Sequence, residues 1–172
     1  MRSLLLLCLL ALAFTVFTDC DASKNKPVVK VVSTSLQQQQ NERAFVKAMR
    51  THLDAVSNRD LKTLRNTLSP DGRMQLILPG TEIIDGVEGF MDYHVDWFKD
   101  TSWTFETNVL RTNIGDRLGL AITEVVYREP ERNGVPYFNR MIVSYDLEKT
   151  DGHWYVIKDH ASSVEKSTDN PN

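Results

Sequence analysis

The chain has 172 residues and a formal net charge of −3, with 20 Lys and Arg against 23 Asp and Glu. A mildly acidic balance without a clustered basic face argues against a nucleic-acid partner. About 125 residues, from Asn41 to Lys166, suffice for one hydrophobic core.

Residues 1–22 read as a cleavable signal peptide. Arg2 supplies the positive start, Leu4 to Phe17 is a run dominated by apolar residues, and Cys20-Asp21-Ala22 places small residues where signal peptidase cuts. The run falls short of the roughly 20 residues that span a bilayer. A secreted or periplasmic protein without a membrane partner is therefore expected. Acylation of Cys20 is the weaker alternative, because Asp19 stands where a small residue is wanted. Both cysteines, Cys8 and Cys20, fall inside this segment, so cleavage after Ala22 removes disulfide and thiolate chemistry. It also takes Arg2, Asp19 and Asp21, shifting the net charge from −3 to −2.

Residues 23–40 read as a polar leader: a short β-prone Val28–Val32, then four glutamines, Gln37 to Gln40. From Asn41 the period is helical, with Phe45, Met49, His52, Leu53 and Val56 on one stripe and Arg43, Lys47, Arg50 and Asp54 opposite. Leu61, Leu64 and Leu68 predict a second short helix, stopped by Pro70-Asp71-Gly72. Two short strand-like runs follow, Arg73–Leu78 and Thr81–Ile84. Asp85-Gly86-Val87-Glu88 has capping-box spacing and opens a third helix with Val87, Phe90, His94, Trp97 and Phe98 on its apolar face.

After Asp100 the period is two. Strands are predicted from Trp103, over Leu118–Tyr127, over Tyr137–Leu147 and over Trp154–Ser163. Turns at Gly115-Asp116, Pro130–Gly134 and Asp151-Gly152 make them an antiparallel meander. The expected fold is α+β: a cone-shaped, curved antiparallel sheet with three N-terminal helices enclosing a pocket. The domain is expected over residues 41–166, with a disordered tail at 167–172.

Val87-Glu88-Gly89, Asp92-Tyr93-His94 and Trp97-Phe98 resemble the third helix of the association domain of calcium/calmodulin-dependent protein kinase II. Asp151-Gly152-His153-Trp154, followed by Asp159-His160-Ala161-Ser162, resembles its last strand. SnoaL-like proteins of the nuclear-transport-factor-2-like superfamily share these features, and the resemblance covers Asn41 to Ser163. It implies the conical fold and an inward-facing His94. On the last strand it implies Tyr155, Ile157 and Asp159 inside, with Lys158 and His160 outside. Function does not follow, because this fold hosts enzymes, binding modules and oligomerisation domains.

Candidate catalytic groups are His94, a histidine on an apolar stripe, and Asp159, a carboxylate whose charged form an apolar cone would disfavour. Each has a plainer reading, as a core histidine satisfied by a carbonyl and as a salt-bridged strand-end carboxylate. His52, Trp97, Trp103, Tyr127 and Tyr145 complete the candidate binding set, as aromatic walls with polar tips. In ketosteroid isomerases, which are similar, the position matching His52 is an oxyanion-binding tyrosine. Their basic aspartate falls here on Leu76, so that mechanism is not supported. Glu124 alternates with Leu118, Leu120, Ile122 and Val126, which, if that face is the outer one, is the pattern of a dimer interface with Glu124 at its edge.

His52, His94, His153 and His160 show no metal-ligand spacing, and neither a glycine-rich phosphate loop nor a Gly-x-Ser-x-Gly elbow occurs, so no metal or cofactor is expected. The leading expectation is an exported small-molecule-binding domain that forms a homodimer, its ligand partly apolar and an anion included. The alternatives are a cofactor-independent isomerase, dehydratase or cyclase using His94 or Asp159 as acid/base, and an oligomerisation or matrix module without an active pocket.

Overall fold

The structure, a computed structural model, describes the backbone of residues 28–167 and the side chains of residues 35–167. The signal segment and residues 168–172 of the expected tail lie outside the described residues. Ser167 is tied down: its N–H donates to Phe138 O at 3.0 Å and its Oγ accepts from Phe138 N at 3.1 Å.

Helix α1 runs Val28–Ser57, α2 Leu61–Asn66, β1 Gln75–Ile77, β2 Ile83–Asp85, α3 Gly86–Trp97, β3 Thr104–Ile114, β4 Leu118–Arg132, β5 Val135–Thr150 and β6 His153–Lys166. The first helix thus begins at Val28, before the glutamines. No proline or glycine stands between Val28 and Ser57 to interrupt the helix. Among the described residues no helix is long and apolar enough to cross a membrane.

The strands form one unclosed sheet in the order β2-β1-β6-β5-β4-β3. It is not wholly antiparallel, because β1 pairs in parallel with β6, Leu76 lying beside Asp159. Nor do three helices precede the sheet: α3 enters after β1 and β2, and Asp85 is both the last residue of β2 and the N-cap of α3. The capping box does not form. Asp85 makes no side-chain cap and accepts from Gln75 Nε2, while Glu88 is drawn to Arg65, at 2.6 and 2.7 Å.

The core sits between α1, α2, α3 and the inner face of the sheet, where Phe45, Met49, Leu53 and Val56 are buried as their spacing requires. Each large side chain removed from water contributes about 1.5–3 kcal/mol. Phe45 meets the edge of Trp154 at 5.1 Å, and Gly119 gives its ring room, since a Cβ there would lie 2.4 Å from Phe45 Cε2. Asn133-Gly134 and Asp151-Gly152 all adopt positive φ, the backbone of two-residue hairpin turns.

A register shift between Asp146 and Leu147 leaves Ile157 of β6 without a cross-strand partner on β5. Before this bulge Trp154 and Val156 point into the core, and after it Asp159 and Ala161 line the interior. The inward placement of Tyr155 and Ile157 is therefore overturned, whereas Asp159 does face inward. A bulge adds one residue and so inverts the alternation on either side of it.

Candidate functional site

Alternation along β5 buries Tyr137, Asn139, Met141, Val143 and Tyr145 on one face of the strand. Together with α1, α3 and the neighbouring strands they enclose a cavity of about 340 Å³. Of its lining residues Val56, His94 and Tyr145 are buried, which marks the closed end, whereas the exposed Pro79 and half-buried Arg132 mark the mouth.

Asp159 enters from β6, directly between Leu76 of β1 and Tyr145 of β5. Burial, with no hydrogen bond or cation among the described residues to offset it, pushes its carboxyl up to about 7. Its charge in turn raises the Tyr93 and Tyr145 hydroxyls, adding to the larger effect of their burial. At neutral pH this one carboxyl is populated both as acid and as base.

His94 lines the same cavity and is 3% exposed. Its Nδ1 lies 2.8 Å from Phe90 O, and because a carbonyl can only accept, Nδ1 carries the proton and Nε2 keeps a lone pair. Burial depresses its pKa to about 4, so the ring is neutral at physiological pH. His94 is thus satisfied by a carbonyl and also lines the cavity.

The other candidates separate into wall and support. Trp97, Tyr127 and Tyr145 line the cavity; His52 and Trp103 do not. His52 is fully buried, and burial first, then His94, lowers its pKa to about 3. Thr67 donates its hydroxyl to Leu64 O at 2.6 Å, so Thr67 Oγ1 accepts from His52 Nδ1 at 2.7 Å. His52 Nε2 is buried without a partner among the described residues. The ring packs edge-on against Tyr145 at 5.5 Å and thereby backs the cavity from behind. Trp103 stacks on Trp97 at 4.5 Å and donates Nε1 to Trp97 O at 3.3 Å, holding that wall in place.

Sequence reasoning missed the polar rim. Arg132 Nε donates to Glu129 Oε2 at 2.8 Å, Tyr127 donates to Glu129 Oε1 at 2.6 Å, and the guanidinium lies 3.4 Å over the Tyr137 ring. Tyr127 is raised by burial and then by this bond, and Glu129 is lowered chiefly by Arg132. Asn139 and Tyr93 also line the cavity. Among the described residues no group of three or more His, Cys, Asp or Glu could hold a metal ion.

The family model of the SnoaL-like domain matches residues 46–165. The chain belongs to the SnoaL-like family. Solved structures agree on the fold of this SnoaL-like domain. A hexachlorocyclohexane dehydrochlorinase, LinA-type3, from Novosphingobium barchaimii superposes with a TM-score of 0.67 at 16% identity, covering 77% of this chain and 92% of that one. A candidate dehydratase of the nuclear-transport-factor-2-like family from Streptomyces avermitilis gives 0.65 at 14%, covering 74% and 99%. A candidate calcium/calmodulin-dependent protein kinase type II association domain from Thiobacillus denitrificans gives 0.59 at 13%, covering 69% and 93%. No curated protein matches the sequence.

Proposed function

We propose that this chain is an exported protein whose SnoaL-like domain binds a small, mostly apolar, uncharged molecule inside the cone. The observation that carries the reading is the cavity of about 340 Å³, walled by apolar and aromatic side chains with a few placed polar groups. Its charge balance speaks against an anion. Arg132 is the one cation among the described lining residues, and Glu129 already engages it, while Asp159 adds a carboxylate.

A second reading, proton transfer on the bound molecule, is favoured by Asp159. The first-strand position that lacks a carboxylate, Leu76, has Asp159 beside it on β6, one strand spacing away, about 4.8 Å. A carboxyl near neutrality next to an apolar volume suits a general base, and the neutral His94 supplies an acceptor. Among the structural neighbours are a dehydrochlorinase, a candidate dehydratase and a ketosteroid isomerase-like protein, whose names agree with chemistry of this kind. We propose further that two copies pair through the outer face of the sheet.

The experiment is native mass spectrometry of protein recovered from the export compartment. The expected result is a chain beginning at or near Ser23 that carries a small non-covalent mass, absent from the cavity-filling variant Val143→Trp. A soluble chain retaining Met1 would remove export from the reading. A full complement of bound mass in Val143→Trp would remove the cavity. Catalysis is recognised by turnover that follows a group titrating near pH 7 and disappears in Asp159→Asn.

A further inference from the structure

Asn139 stands on the inner face of β5 between Tyr137 and Met141 and lines the cavity with both. It is 8% exposed, and its Oδ1 is cut off from solvent with no hydrogen-bond partner among the described residues. A buried amide left unsatisfied works against folding, so its retention inside a cavity points to a partner from outside the chain.

The groups around it have spent their own capacity. Tyr127, directly across on β4, donates its hydroxyl to Glu129, and Glu129 is clamped by Arg132, which rests on the Tyr137 ring. This cluster is charge-neutral and ordered by its own hydrogen bonds and stacking. An entering carboxylate would meet Glu129 with Arg132 already committed, and an entering cation would meet Arg132. An uncharged group meets neither penalty.

We infer that Asn139, framed by Tyr127, Glu129, Arg132 and Tyr137, is a headgroup subsite for an uncharged group that sets an N–H or O–H donor beside a carbonyl acceptor, as a carboxamide does. Once the amide turns about its last side-chain torsion to bring Oδ1 out to the cavity, such a group donates to Oδ1 and accepts from Nδ2 of the same side chain, the complementary pairing of two amides. The ligand's apolar body then runs along Met141 and Val143 toward Tyr145 and Asp159. The six residue steps from Asn139 to Tyr145 rise about 20 Å along the strand, so the occupant is an elongated molecule with its polar head near the mouth. The assignment rests on the binding reading of the cavity and specifies its ligand class.

The test titrates full-length mature protein with three ten-carbon probes: decanamide, methyl decanoate, and decanoate at pH 8. Binding is followed by calorimetry and by emission of the cavity tryptophan Trp97. Wild type should bind decanamide at least tenfold more tightly than the other two. Asn139→Leu should bind the ester as wild type does, lose the preference for the amide, and melt at or above the wild-type temperature. Equal affinities on wild type, or an amide preference that survives in Asn139→Leu, would overturn the subsite while leaving the binding cavity in place. A lower melting temperature in Asn139→Leu would also overturn it, by showing the amide to be structural. If none of the three probes binds wild type, the subsite and the binding reading fall together.

Discussion

Burial acts on Asp159 and on the two inner histidines with opposite sign, and the pH dependence of stability exposes the difference. The Asp159 carboxyl titrates at about 7 in the fold and near 3.9 in the unfolded chain. Its stabilising contribution is therefore complete below about pH 4 and is lost as pH rises through 7. His52 and His94 titrate at about 3 and about 4 in the fold, against about 6.5 unfolded. Their contribution is complete above 6.5 and is lost as pH falls through that window. Between pH 5 and 6.5 two histidines thus oppose one carboxylate. Asp159→Asn should steepen the loss of stability on acidification by about 1.4 kcal/mol per pH unit and add up to about 4 kcal/mol at pH 8. Urea unfolding of both proteins at pH 5, 6, 7 and 8 measures this, and parallel curves would show that Asp159 is solvated. His94 was legible at this scale because apolar residues surround it on a 3.6-residue period. Asn139 left a weaker trace: counting back by twos from Tyr145 places it inward, but nothing in the sequence marks an amide as unpartnered. Glu129 and Arg132 were hidden because Pro130 made that stretch read as turn, whereas β4 continues to Arg132 and only Asn133-Gly134 turns.

Where elements meet, single residues set geometry that periodicity does not encode. The bulge at Ile157 inverts the inner face of β6, and a run such as Val156-Ile157, apolar on both faces, carries no sign of the phase change. Capping spacing misled for a related reason: Glu88 had a better partner in Arg65 of another helix, and a local pattern cannot announce a tertiary competitor. Arg59 is the clearest case of a residue joining elements. From the turn between α1 and α2 it donates to the carbonyls of Asp100, Thr101 and Trp103, and its guanidinium lies 3.7 Å over the Trp103 ring. Trp103 in turn carries Trp97, so Arg59 fastens a cavity wall from outside. Arg59→Ala should cost about 2–3 kcal/mol in urea unfolding. Arg59 has φ +58°, so Arg59→Gly should recover about 1 kcal/mol of that loss by relieving the left-handed backbone. If alanine and glycine are equally destabilising, the backbone relief is absent. If neither lowers stability, the wall stands without Arg59.

For the whole molecule, the order of helices and strands was legible because long periodic segments outweigh local ambiguity, and a four-strand meander can bury its inner face in few ways. What remains to be explained is the other face. Ile122, Val126, Phe138 and Ile142 lie on the outer side of β4 and β5, half-buried and, among the described residues, with no helix over them. Glu124, expected at the edge of that face, stands within it, directly across from Ile142 and ion-paired to Arg140 at 3.3 Å. An exposed carboxylate would resist burial in an interface, but one already neutralised by a neighbouring guanidinium can be covered at lower cost. A second copy related by a two-fold axis would place equivalent apolar patches against each other, and a stable pairing of this kind buries about 1,200–2,000 Å². Wild-type protein at micromolar concentration should therefore sediment as a dimer. Ile142→Lys is the discriminating variant. In the monomer the new ammonium lies opposite Glu124 and can pair with it, so the fold should survive. In the dimer it must be desolvated, at a cost of several kcal/mol, which weakens association at least a hundredfold. Sedimentation equilibrium should then report a folded monomer for Ile142→Lys. A wild-type monomer, or an Ile142→Lys dimer as tight as wild type, would mean that the outer face is not where two copies meet.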